Sequence, residues 1–132
     1  MIGEQIVEWR GKTMGTRVLD AVGPTLETNV SAKGNAGGTQ VDLSITFVAK
    51  PVSEGVLHGK GQGVIMAGNS EMATTEAEGI GRITADGVKW RGAIFFRTAS
   101  AGKLSPLNNV VGVFETVGDY EGNVTETVWE WK

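Results

Sequence analysis

The chain contains no cysteine. Disulfide staples, thiolate metal centres and a cysteine nucleophile are therefore excluded. Proline occurs only 3 times in 132 residues, against 20 glycines, and no repeat or low-complexity tract accompanies them. That balance fits curved strands and tight turns better than disorder. No apolar run approaches the ~18 residues of a membrane helix, so no membrane span is expected. Basic residues are scattered singly within a net charge of −3, and no cluster of them would follow a phosphate backbone. Nucleic acid is accordingly not an expected partner. The opening Met1-Ile2-Gly3-Glu4-Gln5 carries acid early and lacks the basic-then-apolar pattern of a secretion signal. A cytoplasmic location is the expectation, in keeping with the missing cysteine. The Asn29-Val30-Ser31 and Asn123-Val124-Thr125 triplets match the glycosylation pattern only by chance on that reading.

What is present is alternation. A chain of 132 residues fits one domain, residues 1–132, large enough to bury a core without staples. Helical periodicity is nearly absent, and the Lys103–Asn109 segment, limited by Pro106, has room for one short turn. The most regular hairpin turns at Gly37-Gly38 and pairs Ala32 with Leu43, Val30 with Ile45 and Thr28 with Phe47. Its other face pairs Lys33 with Asp42, Ser31 with Ser44 and Asn29 with Thr46, a wet side with charge and hydroxyl complements. Asp86-Gly87 is a hairpin signal of the strongest short-range kind. As a two-residue turn it sets Ile83 opposite Trp90, Gly81 opposite Gly92, Gly79 opposite Ile94 and Ala77 opposite Phe96. In the first strand, Val7 and Trp9 share a side, and the apolar parity then switches to Met14 and Val18, which predicts a bulge or a break near Gly11. An even turn near Glu121-Gly122-Asn123 places Gly112, Phe114, Thr116, Thr127, Trp129 and Trp131 inside. The opposite face then holds Val111, Val113, Val117, Glu126 and Val128.

The tally is about eight strands joined in order by short turns, which close into an antiparallel up-and-down barrel. A two-sheet β-sandwich is the alternative. A flat open sheet is rejected, because it would leave an aromatic face in water.

Few motifs carry chemistry. Gly59-Lys60-Gly61-Gln62-Gly63 looks like a phosphate loop, but Val64-Ile65-Met66 and a turn follow it where a helix is needed, so a bent strand is the better reading. The only histidine is His58. A two-residue turn at Gly68-Asn69 points His58, Lys60 and Gln62 inward. A three-residue turn, 68–70, points Leu57 and Ile65 inward instead and leaves the polar set in water. Glu76, Glu78, Arg82, Arg91 and Arg97 share one face, which reads as a solvated exterior rather than an anion site because the opposite face is apolar.

The string Trp90-Arg91-Gly92, Thr98, Leu104 to Asn108, Phe114-Glu115 and the closing Trp129-Glu130-Trp131 resembles small barrels of the allene oxide cyclase-like kind, in their uncharacterised prokaryotic branch. The similarity covers roughly Gly55 to Lys132 and lies in strand rhythm. It implies an eight-stranded, calycin-like barrel, often oligomeric, with a hydrophobic cavity. None of that family's functional residues maps onto a position here, so no activity is carried over.

The expected function is binding of a small, largely apolar molecule inside the barrel. Phe47, Trp90, Phe96, Phe114 and Trp129 would line the cavity, with Gln62, Thr98 and Thr116 orienting the ligand. Two alternatives stand beside it: a cyclase or isomerase that works by cavity shape, and a structural protein with a filled core. Whether any reaction is catalysed, and on what, the residues do not say. No cofactor or metal is expected. With the aromatics inside, Val111, Val113, Val117 and Val128 form an exterior ladder, which predicts a homo-oligomer.

Overall fold

The computed structural model describes residues 1–132. Eight strands follow one another around a closed antiparallel barrel: β1 Ile2–Asp20, β2 Thr25–Ala36, β3 Thr39–Ser53, β4 Val56–Ala67, β5 Glu71–Ile83, β6 Gly87–Arg97, β7 Val111–Asp119 and β8 Asn123–Trp131. β8 pairs back onto β1, so no edge is left open. The up-and-down barrel is the observed architecture, and the sandwich alternative falls. No helix is long and apolar enough to cross a membrane. The one helical feature is a 3-10 turn, Ser105–Leu107, within the segment the sequence allowed for it.

The two ends of the barrel differ. At one end lie both termini, the Gly37-Gly38 turn and the β6–β7 loop. There the interior is packed, with Phe96, Ile65, Leu104, Val7 and Val128 the largest fully buried side chains. Leu104 and Leu107 drop from the loop into this core. Glu71 holds the loop in place: its Oε1 accepts the Leu104 amide at 2.9 Å and the Ser100 hydroxyl. The Leu104 amide, followed by the Ser100 hydroxyl, depresses the Glu71 pKa below the ordinary carboxylate value. At the other end the turns stand around an opening.

The β2–β3 register is the expected one throughout. Lys33 Nζ meets Asp42 Oδ1 at 2.8 Å, and Thr46 Oγ1 donates to Asn29 Oδ1 at 2.8 Å. The β5–β6 hairpin keeps its predicted faces, but its pairs slip by two residues: Ile83 faces Val88, Gly81 faces Trp90, Gly79 faces Gly92 and Thr75 faces Phe96. The cause is a longer turn. Thr84 N–H donates to Gly87 O at 2.7 Å, and the Asp86 amide donates to Thr84 Oγ1 at 3.3 Å, so Thr84 to Gly87 all belong to it. Gly87 sits at φ +153 with the Gly118 carbonyl where a Cβ would be, so only glycine fits. The expected bulge near Gly11 lies instead at Met14, between Thr13 and Gly15.

The final hairpin corrects the sequence reading most. Its turn is odd, not even. Asp119 Oδ1 accepts the amides of Glu121 and Asn123, both at 2.9 Å, and Oδ2 accepts Asn123 Nδ2 at 2.9 Å. Gly118 therefore pairs with Val124, Thr116 with Glu126, and Phe114 with Val128. One residue of difference in the turn inverts the whole of β8. Trp129 and Trp131 face outward with Thr127, and Val124, Glu126 and Val128 face inward. Val128 is fully buried, so it cannot belong to an exterior valine ladder.

Candidate functional site

The barrel interior holds a cavity of about 530 Å³, within the range of small-molecule sites. Its floor is the packed core at Ile94, Phe96, Phe114 and Val128. Its mouth lies at the other end, where the lining residues Pro24, Pro51, Ile83 and Tyr120 are exposed. β1 runs on beyond its last ladder pair with β8, Lys12–Asn123, paired there with β2 alone, and Pro24 of the connecting turn with Leu26 and Thr28 of β2 forms part of the wall.

Trp90 dominates one side. Its ring lies against β4 and β5 at Gly59 and Gly81, where an added Cβ would meet ring carbons at 2.7 and 2.8 Å. The glycines seat an aromatic ring flat on the sheet, and Phe114 similarly approaches Gly79. Phe47 closes edge-on against Trp90, with centroids 5.9 Å apart at 68°.

Two strands along the wall from Trp90 stands one acid. Lateral pairing runs Gly81–Trp90–Thr116–Glu126–Trp9 across β5, β6, β7, β8 and β1. Glu126 Oε2 accepts Trp9 Nε1–H at 2.8 Å, and Oε1 meets the Thr116 hydroxyl at 2.6 Å. The surface that Glu126 keeps accessible is turned into the cavity it lines. Burial raises its pKa above the ordinary carboxylate value, and the hydrogen bonds from Thr116 and Trp9 offset only part of that. Glu126 is the only ionisable side chain at an inward position on the cavity wall. Lys60 and Glu78 alternate with inward glycines, and Asp119 and Tyr120 stand at the mouth.

Of the residues singled out in the sequence, Phe47, Trp90, Phe96, Phe114 and Thr116 stand on the cavity wall. Three do not point into it. Trp129 is on the outer face of inverted β8, beside Val113 and Gln5. Thr98 lies past the end of β6 at the packed end, its hydroxyl on the Met72 carbonyl at 2.7 Å and its amide on Asn108 Oδ1 at 3.1 Å. Gln62 is exposed, paired with Thr46 and Glu76, because the β4–β5 turn spans three residues and Ala67 faces Glu71. The same turn puts His58 and Lys60 outside, where His58 Nε2 lies 2.6 Å from Glu78 Oε2. The space beside Gly79 and Gly81 is taken by Phe114 and Trp90 rather than by polar side chains. Sequence reading missed Glu126 and Thr75, both on the wall. Asp119 and Asn123 flanking Gly122 were the available sign of an odd turn.

No family model matches the chain, and no curated protein matches it in sequence. Solved structures do match in shape. A protein of unknown function from Clostridium acetobutylicum superposes with a TM-score of 0.78 at 13% identity, covering 97% of this chain and 98% of that one. A conserved protein of unknown function from Rhodopseudomonas palustris gives 0.80 at 9% identity, covering 98% and 97%. A β-barrel-like protein from Acinetobacter baumannii gives 0.78 at 12% identity, covering 100% and 96%. At these identities the likeness establishes the barrel fold alone.

Proposed function

We propose that the barrel binds a small, largely apolar molecule between Trp90, Phe47, Phe114 and the Glu126 carboxyl. The observation that carries this reading is the cavity itself: about 530 Å³ of space, open at one end and walled mainly by apolar side chains, in a fold whose other end is solidly packed. Empty apolar space forfeits dispersion contacts, and a structural protein gains nothing by keeping it. Nile red, a neutral apolar dye, should therefore bind the native protein with a blue-shifted emission and be displaced by 1-octanol. Trp90→Ala should change the dye affinity by about tenfold, that is about 1.4 kcal/mol, while Arg91→Ala on the outer face leaves it unchanged. Absence of dye binding would overturn the reading in favour of a structural role.

A cyclase or isomerase of the allene oxide cyclase-like kind is the second reading, and Glu126 is the observation that favours it. A carboxyl whose pKa is raised by burial beside an apolar cavity can donate a proton and retrieve it. Incubating the protein in deuterated water with a hydrophobic unsaturated ketone tests this: solvent deuterium should enter the substrate with wild type and not with Glu126→Gln.

We also propose self-association through the outer face of β6–β8. Phe95, Val111, Val113, Trp129 and Trp131 form a patch there, with Phe95 48% and Trp131 57% exposed. Val117 lies apart from it, between Lys89 and Thr125. The flanks carry both signs of charge, Arg91 and Arg97 with Glu115, as a contact between two copies of one surface requires.

A further inference from the structure

We infer that the cavity selects a lipophilic amine, bound as its ammonium ion against Glu126 with its carbon skeleton against Trp90 and Phe47. The inference rests on the cavity reading above and adds the charge of the ligand. Three observations point the same way. Glu126 is an acid on an interior wall with no basic side chain at an inward position. Its two protein partners, the Trp9 indole N–H and the Thr116 hydroxyl, are neutral and occupy one position on each oxygen. Each oxygen of the ionised form therefore keeps a lone pair for a further donor. The flanking positions in the same lateral row are aromatic, Trp9 on one side and Trp90 beyond Thr116 on the other, and ring faces attract organic cations.

The charge balance follows. Without ligand, burial favours the protonated carboxyl. An ammonium ion entering the cavity supplies the missing positive charge, the carboxyl proton leaves to solvent, and a charge-assisted hydrogen bond forms in a site of low polarity. A neutral ligand that offers only an acceptor oxygen would instead need the carboxyl proton to stay. The two cases respond to pH in opposite senses. Ammonium binding strengthens as pH rises through the Glu126 titration, whereas binding of an acceptor oxygen weakens. The other titratable groups touching the wall are Lys60 and Glu78, at outward positions, and Asp119 and Tyr120, at the mouth.

The probes are 1-octylamine hydrochloride and 1-octanol, matched in chain length, titrated against wild type, Glu126→Gln and Thr116→Val from acid to neutral pH. Glu126→Gln keeps the size of the side chain and an acceptor for Trp9. Circular dichroism and Nile red binding report whether each variant retains the barrel and its cavity. The expected result is that Glu126→Gln loses about tenfold or more in octylammonium affinity, as removal of one partner of a buried ion pair does. Its octanol affinity should fall far less than its octylammonium affinity, and its remaining amine binding should lose the pH dependence of wild type. Thr116→Val should keep most of the amine affinity, since the charge is intact. Equal octylammonium binding by wild type and Glu126→Gln, with octanol binding retained, overturns the cation while leaving the apolar cavity standing. Octanol binding that falls with rising pH and disappears in Glu126→Gln assigns the carboxyl to a neutral oxygen and also overturns it. Failure of both probes to bind wild type removes the cavity reading and this inference together.

Discussion

Trp90 lies over Gly59 and Gly81 because those positions present no Cβ to the ring. A methyl group at Gly81 would fall 2.8 Å from ring carbons, and neither the backbone nor a large ring closed in by Phe47 gives way easily. Gly81→Ala should destabilise the barrel by about 1–3 kcal/mol, as overpacking does, and shift the tryptophan emission. An unshifted spectrum with unchanged unfolding would contradict the seating. Glu126 is the opposite case, a residue that reduces stability where it stands. Its folded-state pKa is raised, so the folded state holds its proton more tightly than the unfolded chain does. Its contribution is fully present below the unfolded pKa and is lost as pH rises through the folded pKa. Urea unfolding of Glu126→Gln should accordingly match wild type at acid pH and exceed it increasingly toward neutrality. A constant difference across pH would mean that Glu126 does not titrate abnormally. Phe96, 1% exposed on the cavity floor, should cost about 3–5 kcal/mol on truncation to alanine, and the exposed Arg97 less than about 0.5 kcal/mol.

At the scale of elements, the β6–β7 loop and the β7–β8 turn decide the architecture of the interior. The loop closes the packed end through Leu104 and Leu107, and Glu71 is the residue that anchors it. The depressed Glu71 pKa contributes stability present above the unfolded carboxylate pKa and lost as pH falls through the folded one. In acid the loop should loosen before the barrel unfolds. Hydrogen exchange at the Leu107 and Val110 amides, which donate to Leu104 and Leu107 carbonyls at 3.0 and 3.1 Å, should accelerate ahead of the strand amides. Glu71→Gln should exchange faster there at neutral pH as well. Simultaneous acceleration of loop and strands would show that the loop is not a separate unit. The β7–β8 turn acts through counting. Asp119 accepts three hydrogen bonds from Glu121 and Asn123 and makes the turn odd, which places Val128 in the core and Trp129 outside.

For the whole molecule, that inversion changes which surface is free to meet a second copy. Val113 is on the outer face and Val128 is fully buried. Val113→Lys together with Trp129→Lys should give a folded monomer by light scattering, if wild type associates through this patch. Val128→Lys alone should prevent folding, because it places an unpaired ammonium in the core. A folded Val128→Lys protein would restore the opposite facing of β8. A wild-type protein that is monomeric at high micromolar concentration would end the proposal of self-association, while leaving the barrel and its cavity untouched.

Alternation along the chain was enough to establish strands, their order and a closed barrel, because period-2 burial is a local property of each strand. It also placed Phe47, Trp90, Phe96, Phe114 and Thr116 on the inner face. The Gly37-Gly38 hairpin was legible pair by pair, since Lys33–Asp42 and Asn29–Thr46 complement each other on its wet side. Turn length was not legible to the same degree. It depends on side chains such as Thr84 and Asp119 hydrogen-bonding nearby backbone, and an error of one residue there reverses every side chain of the strand that follows. Trp129, Val128 and Glu126 were misplaced together for that single reason. The association of Glu126 with Trp9 across 117 positions of sequence exists only because β8 closes on β1. The carboxyl's environment, and the chemistry of the cavity with it, is set by closure of the barrel and by no local feature of the chain.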